Sequence, residues 1–195
     1  MAKILFTGTI GSGKAAIVNQ LQSHSLPNYH YIEGIAEQVL LEEVRRTHDP
    51  HIDQTADFQD RLFERQLEAE ISAEKKQPKI LFCHRGEPDN IAHTLLFGIP
   101  IKQEWIHWSQ SYDKVFLFSK EGLAFQPPPL QKDVVERDWQ LFRNCLEICI
   151  RRALHLCHLP YEVVSGDMDE RLKTITRAVD RLSESSSHSL PRKNL

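Results

Sequence analysis

The 195 residues are enough for one domain with a core of its own. Charged residues make up 26% and hydrophobic ones 41%, the balance of an ordinary globular protein. The net charge of −3 offers no basic field for nucleic acid or an anionic membrane, and no apolar run reaches the ~18–20 residues that cross a bilayer.

The chain starts directly in a β-prone run, residues 3–7, without a signal-peptide layout, so cytoplasmic residence is the expectation. Behind that strand comes Gly8-Thr9-Ile10-Gly11-Ser12-Gly13-Lys14-Ala15. This is the phosphate-binding loop pattern G-x-x-x-x-G-K-[ST], with Ala15 where a hydroxyl residue normally touches magnesium. The glycines let backbone N–H groups turn inward on an anion, and the helix that starts near Lys14 adds its positive end. Lys14 is placed to reach the outer phosphates. The strand before the loop and the helix after it make the match specific. Residues Gly8 to Ala16 are therefore the expected nucleotide cradle.

A second strand, residues 29–32, runs into Glu33. A carboxylate there can take a proton from a hydroxyl attacking the outer phosphate. It can equally be an acid favoured by a helix start. Helical patterns follow over 37–46 and 58–76, the longer one with Phe58, Leu62, Phe63, Leu67 and Ile71 near one face. Pro78 ends it and resets the chain for a third strand, residues 79–83.

After the third strand come His84 and Arg85, then Glu87-Pro88-Asp89. Many phosphate-loop enzymes hold magnesium through an Asp where this chain has His84. Arg85 can pair with a phosphate through its fork of donors. Glu87 and Asp89 are the carboxylates at hand for metal, and they also read as helix-start acids around Pro88. A fourth strand, residues 114–118, leads into residues 120–132 with three consecutive prolines, a length and stiffness that suit an active-site lid. Lys132, Arg137 and Arg143 are its candidate phosphate contacts, with solvated surface charge as the competing reading.

The rest reads as a helix over 134–158, a strand over 161–164 and a helix over 169–182. Cys145, Cys149 and Cys157 recur at helical steps among Leu141, Ile148, Ala153 and Leu156, as small residues on a buried face. Alternating strands and helices imply an α/β fold, a mainly parallel sheet with helices on both faces. Right-handed crossovers then bring the phosphate loop, Glu33 and the His84-Arg85 segment to one sheet edge. Residues 1–184 form one nucleotide-binding domain, and the polar tail 185–195 is expected to fray into solvent.

Taken together, the chain resembles the small phosphate-loop ATPase/kinase-like family often labelled an AAA-type domain, which includes nicotinamide-riboside-kinase-like modules. The likeness is carried by Gly8–Lys14, Glu33-Gly-Ile-Ala-Glu37 and Phe58-Gln-Asp-Arg-Leu-Phe-Glu-Arg-Gln-Leu-Glu68. His84-Arg85-Gly86 stands where the family tends to carry Asp-Arg-Gly. Tyr112–Leu117 and Leu159–Val164 extend it toward the C-terminus. The resemblance implies a three-layer P-loop NTPase sandwich with a five-stranded parallel sheet ordered 2-3-1-4-5. It implies ATP or GTP bound with Mg2+, and transfer of the outer phosphate to a nucleoside-like or other small acceptor. Lys14, Glu33 and Arg85 are then the catalytic candidates. Ala15 and His84 remove two magnesium-holding groups, so a catalytically weakened nucleotide-binding module is the alternative. Base preference and oligomeric state are not legible.

Overall fold

The computed structural model describes residues 1–23, 28–123, 125 and 138–186. Lys132, Arg137 and most of the tail beyond residue 184 lie outside the described residues. Among the described residues five strands form one sheet, in the order β2-β3-β1-β4-β5, with every pair parallel. They are β1 (Ala2–Gly8), β2 (Tyr29–Ile32), β3 (Ile80–His84), β4 (Lys114–Phe118) and β5 (Tyr161–Val164). The helices are α1 (Lys14–Ser23), α2 (Ile35–Thr47), α3 (Ala56–Glu74), α4 (Glu87–Phe97), α5 (Gln103–Ser109), α6 (Trp139–Leu156) and α7 (Met168–Ser186). No helix among them is long and apolar enough to cross a membrane.

The central strand β1 is buried along its whole length, as expected where helices cover both faces. Its side chains alternate between two cores. Ile4 and Phe6 join Ile17, Val18, Phe82, Phe116, Ile175 and Val179 under α1 and α7. Leu5 joins Leu81, Cys83, Val115, Leu146 and Ile150 under α3 to α6. Phe6 sits among Phe82, Phe116 and Phe118 at centroid distances of 5.3–5.8 Å. Even the charged Lys3 is buried, against Glu70. Burial pushes its ammonium pKa down, but the Glu70 charge outweighs that and the net shift is upward.

Two expected helix faces turn differently. On α6, Leu141 and Ile148 are 60% and 70% exposed, and Cys145 and Cys149 are half-buried. The inward stripe is Arg143, Leu146, Ile150, Ala153 and Leu154. Both sets obey helical spacing; the inner one begins with an arginine, which hid it. On α3, Ile71 points outward, and Gln59, Gln66 and Glu70 take inward places beside Phe58 and Leu62. Of these, Gln59 and Gln66 line a cleft, and Glu70 is paired with Lys3 and Tyr112.

Candidate functional site

Parallel pairing sets His84 opposite Phe6, and the Arg85 N–H donates to the Phe6 carbonyl at 3.0 Å. The turn after β3 therefore lies beside the phosphate loop. Loop geometry forces glycine at two places. Gly8 has φ +138°, and a Cβ there would meet the Phe118 carbonyl oxygen at 2.7 Å. Gly13 has φ +83°, and a Cβ there would meet the Leu123 side chain at 2.8 Å. These are positive-φ positions that other residues occupy only under strain.

The Lys14 ammonium donates to the Gly8 carbonyl (2.7 Å), the Thr9 carbonyl (2.9 Å) and Ser12 Oγ (3.2 Å). Burial, then the nearby Arg85 charge, pulls its pKa down to about 7. A positive group so short of counter-charge is poised for an anion. Around it the residues from Ile10 to Ala16, with Glu37, His84 and Arg85, enclose a cavity of about 230 Å³. Burial, then the Lys14 and Arg85 charges, push the His84 imidazole down to about 2. It is therefore neutral at any physiological pH.

A second cleft adjoins the first, sharing Ile10 and Arg85. Its apolar wall includes Leu40, Phe58, Leu62 and Phe142; its polar wall includes Gln59, Gln66, Asp89, Asn90 and His93. The void is about 40 Å³, room for about one water molecule. A ring-sized ligand enters only if wall side chains part. Asp89 accepts from Thr7 Oγ1 at 2.9 Å and from the Gly86 N–H at 3.2 Å, which fixes its carboxylate in the cleft wall.

The sequence-predicted residues divide accordingly. Lys14, Ala15, His84 and Arg85 meet at the loop cavity, and Asp89 lines the cleft. Glu33 is on neither wall and accepts from Gln22 Nε2 at 2.8 Å, whereas Glu37, one helical turn on, is on the loop wall. Glu87 is fully buried and turned to the Tyr112 hydroxyl at 2.6 Å, away from both cavities. Burial, then the Glu70 charge, raises its pKa to about 8. Arg143 is 3% exposed and stacks 4.2 Å over the Phe125 ring. Its Nε and Nη2 have no hydrogen-bond partner among the described residues.

Arg171 was not singled out in the sequence. It is fully buried and donates to the carbonyls of Ser12 (2.9 Å), Ser119 (3.1 Å), Glu121 (2.8 Å) and Gly166 (2.7 Å). One guanidinium thus ties the phosphate loop to the loops after β4 and β5. An arginine outside every motif, on a helix rich in charge, gives no signal of this. Gln59, Gln66 and Asn90 were also missed. Their signal was polar residues in step with Phe58, Leu62 and Ile91 on amphipathic helices.

Residues 3–171 match the model of a family described as AAA domain. No curated protein matches the chain. Among solved structures, the NadR protein in complex with NR superposes with a TM-score of 0.62 at 15% identity, over 100% of this chain and 52% of that one. This chain thus spans about half of that protein's length. Deoxyadenosine kinase from M. mycoides with bound dATP gives a TM-score of 0.61 at 13% identity, over 91% of this chain and 99% of that one. The same kinase with products dCMP and a flexible dCDP gives 0.57 at 13% identity, over 92% and 99%. At such identities the likeness is one of fold: the P-loop kinase-like arrangement.

Proposed function

Because the chain belongs to this AAA-domain family, with its P-loop kinase-like nucleotide-binding fold, we propose that it binds ATP or GTP at the loop and passes the outer phosphate to a small, nucleoside-like acceptor in the adjoining cleft. The observation that carries this reading is the junction of the two cavities at Ile10 and Arg85. A donor phosphate on one side and an acceptor hydroxyl on the other would meet beside the Arg85 guanidinium. Preorganised donors aimed at that point are what phosphoryl transfer needs. Lys14 would hold the outer phosphates. Arg143, with two buried unpartnered nitrogens, would add charge over them. Glu33 remains a general-base candidate, with Glu37 now beside it.

Magnesium is a hard ion that takes oxygen ligands and usually arrives on nucleotide phosphates. Ala15 has no oxygen to give, His84 offers a neutral imidazole, and no cluster of three ligating side chains occurs among the described residues. The cavity walls carry three carboxylates, Asp53, Asp89 and Glu37; Asp89 and Glu37 would hold the ion's water shell. Its chemistry would be to neutralise charge on the transferring phosphate. The thin protein share of the metal site is the specific observation behind a second reading, a nucleotide-binding regulatory module with weak or no turnover.

Product analysis separates the two. The protein is incubated with magnesium, labelled ATP or GTP, and a panel of nucleosides and ribosides. Label moved to an acceptor supports the kinase; bound nucleotide with no transfer over many hours supports the module. Absence of any nucleotide binding at millimolar concentration rejects both.

A further inference from the structure

Two side chains in the wall of the cleft hold buried polar atoms that nothing among the described residues satisfies. Gln59 is 1% exposed, and its Nε2 donates to the Asp53 carbonyl at 2.7 Å. A carbonyl only accepts, so this bond fixes which end of the amide is nitrogen. The other end, Oε1, is buried with no donor. Asn90 is 5% exposed, and its Nδ2 is buried with no acceptor. Both residues line the same cleft, from α3 and α4 respectively. Buried polar atoms are almost always paired, and an unpaired set on a cavity wall points to a ligand that completes it.

Resting on the reading that this cleft takes the acceptor, we infer that the acceptor carries a hydrogen-bond donor next to a hydrogen-bond acceptor on one planar group. A primary carboxamide has that edge, and so does the amino–imine edge of an aminated base. Its N–H donates to Gln59 Oε1, and its carbonyl oxygen or ring nitrogen accepts from Asn90 Nδ2. Phe58, Leu62 and Phe142 supply apolar surface for the ring. A carboxylate of the same shape has no proton for the Gln59 oxygen, and a lactam carries the pair in exchanged order, so with its ribose held in the same place it sets oxygen against Gln59 Oε1 and N–H against Asn90 Nδ2; the cleft rejects both. Gln66, two turns along α3 on the same wall, is locked in the same sense, because its Nε2 donates to the Glu70 carboxylate at 2.6 Å. The α3 side of the cleft is therefore built to receive protons.

The test is equilibrium binding with magnesium and a non-hydrolysable ATP analogue present. Three matched pairs are compared by calorimetry: adenosine with inosine, cytidine with uridine, and pyridine-3-carboxamide riboside with its carboxylate. The amino or carboxamide member of at least one pair should bind ~10–100-fold tighter. Which pair responds tells a nucleobase from a carboxamide. Gln59→Met removes the oxygen and should bring that pair close to level. Asn90→Asp exchanges a donor for an acceptor and should do the same; it decides alone if Gln59→Met does not melt cooperatively. Equal binding within every pair overturns the inference and leaves the proposed function standing, with water pairing the two amides. A preference that survives in both variants also overturns it. If none of the six compounds binds, the inference and the acceptor reading of the cleft fall together.

Discussion

The phosphate loop and the cleft beside it share Ile10 and Arg85 and are otherwise made of different material. The loop is a backbone site: positive-φ glycines and one lysine held by backbone carbonyls, all within seven consecutive residues. The cleft is a side-chain site, assembled from inward faces of α2, α3, α4 and α6. A backbone site depends on local chain geometry, which glycine spacing declares. A side-chain site depends on which face each helix turns inward, which packing decides. In the proposed function the first kind hosts a polyphosphate and the second chooses among acceptors.

The largest effect should come from joining the two regions. In an Ala15→Thr, His84→Asp background, oxygen ligands return to the loop, and the new carboxylate replaces a neutral imidazole beside Lys14 and Arg85. Turnover and magnesium dependence should both rise. The two changes should be non-additive by ~0.5–3 kcal/mol, since they serve one ion. Within that background, loss of the general base should cost ~10²–10⁴-fold in turnover with little loss of nucleotide affinity. Glu33→Gln and Glu37→Gln, measured side by side, show which carboxylate acts. If neither lowers turnover, the proton leaves by another route and the second-strand edge is not catalytic.

Next in size is Lys14→Ala, which breaks the loop and leaves the cleft walls untouched. Nucleotide at a hundred times its dissociation constant adds ~2.7 kcal/mol of stability, a melting shift of roughly 5–10 °C for a domain of this size. The substitution deletes a charge-assisted contact worth ~1.5–3 kcal/mol and should remove most of that shift. A full shift in the variant means that nucleotide is held elsewhere, and the contrast between the two regions fails.

What was legible follows from the same contrast. The bounds of β2, β4 and β5 coincide with the sequence reading, because each is a short β-prone run between clear breakers. The strand order came with the loop and its family likeness. Lys14, His84 and Arg85 were placed together because parallel crossovers leave loops on one edge. By contrast, the sequence shows α4 only as a helix start at Pro88 and gives no sign of α5, which at 7 residues is too short to show a period. On α6 the apolar stripe was assigned to Leu141 and Ile148, one step around the helix from the buried stripe headed by Arg143. Gln59 and Asn90 carry no motif; only the cavity around them gives them meaning.

A smaller effect belongs to the floor beneath the cleft. Glu87 and Glu70 share the Tyr112 hydroxyl, at 2.6 and 2.8 Å, and a Cβ on Gly86 would meet that hydroxyl oxygen at 2.0 Å. With one hydroxyl proton for two acids, the protonated Glu87 completes the chain by donating to Tyr112, which then donates to Glu70. Its folded pKa of about 8 lies above the ordinary 4.5. The folded state thus binds more protons between those values. Stability from this group is full below pH 4.5 and is lost as pH rises through about 8. Glu87→Gln keeps the donor and cannot ionise. The variant should gain on the wild type by several degrees in melting temperature as pH rises across that window. A gap that stays constant with pH means that Glu87 ionises normally in the fold.

The smallest effect is the uptake of about one proton, and it reads the loop directly. In the unliganded protein Lys14 has its pKa pulled from 10.5 to about 7 by burial first and Arg85 second. The folded state therefore releases a proton between those values, and this group's burial cost eases as pH rises through about 7. A bound polyphosphate supplies the missing counter-charge and restores the ammonium. Binding at about pH 8 should then take up close to one proton, and affinity should fall up to tenfold per pH unit above that point. The nucleotide's own phosphates, with a last pKa of about 6, stay ionised throughout and do not mimic the effect. Calorimetric titrations in buffers of different ionisation enthalpy measure the uptake. Lys14→Arg keeps its charge at every pH used and should abolish it while retaining binding. A binding heat that does not depend on the buffer would mean that Lys14 is already charged before nucleotide arrives. The loop's carbonyls, at 2.7 and 2.9 Å from its ammonium, would then be a sufficient counter-field by themselves.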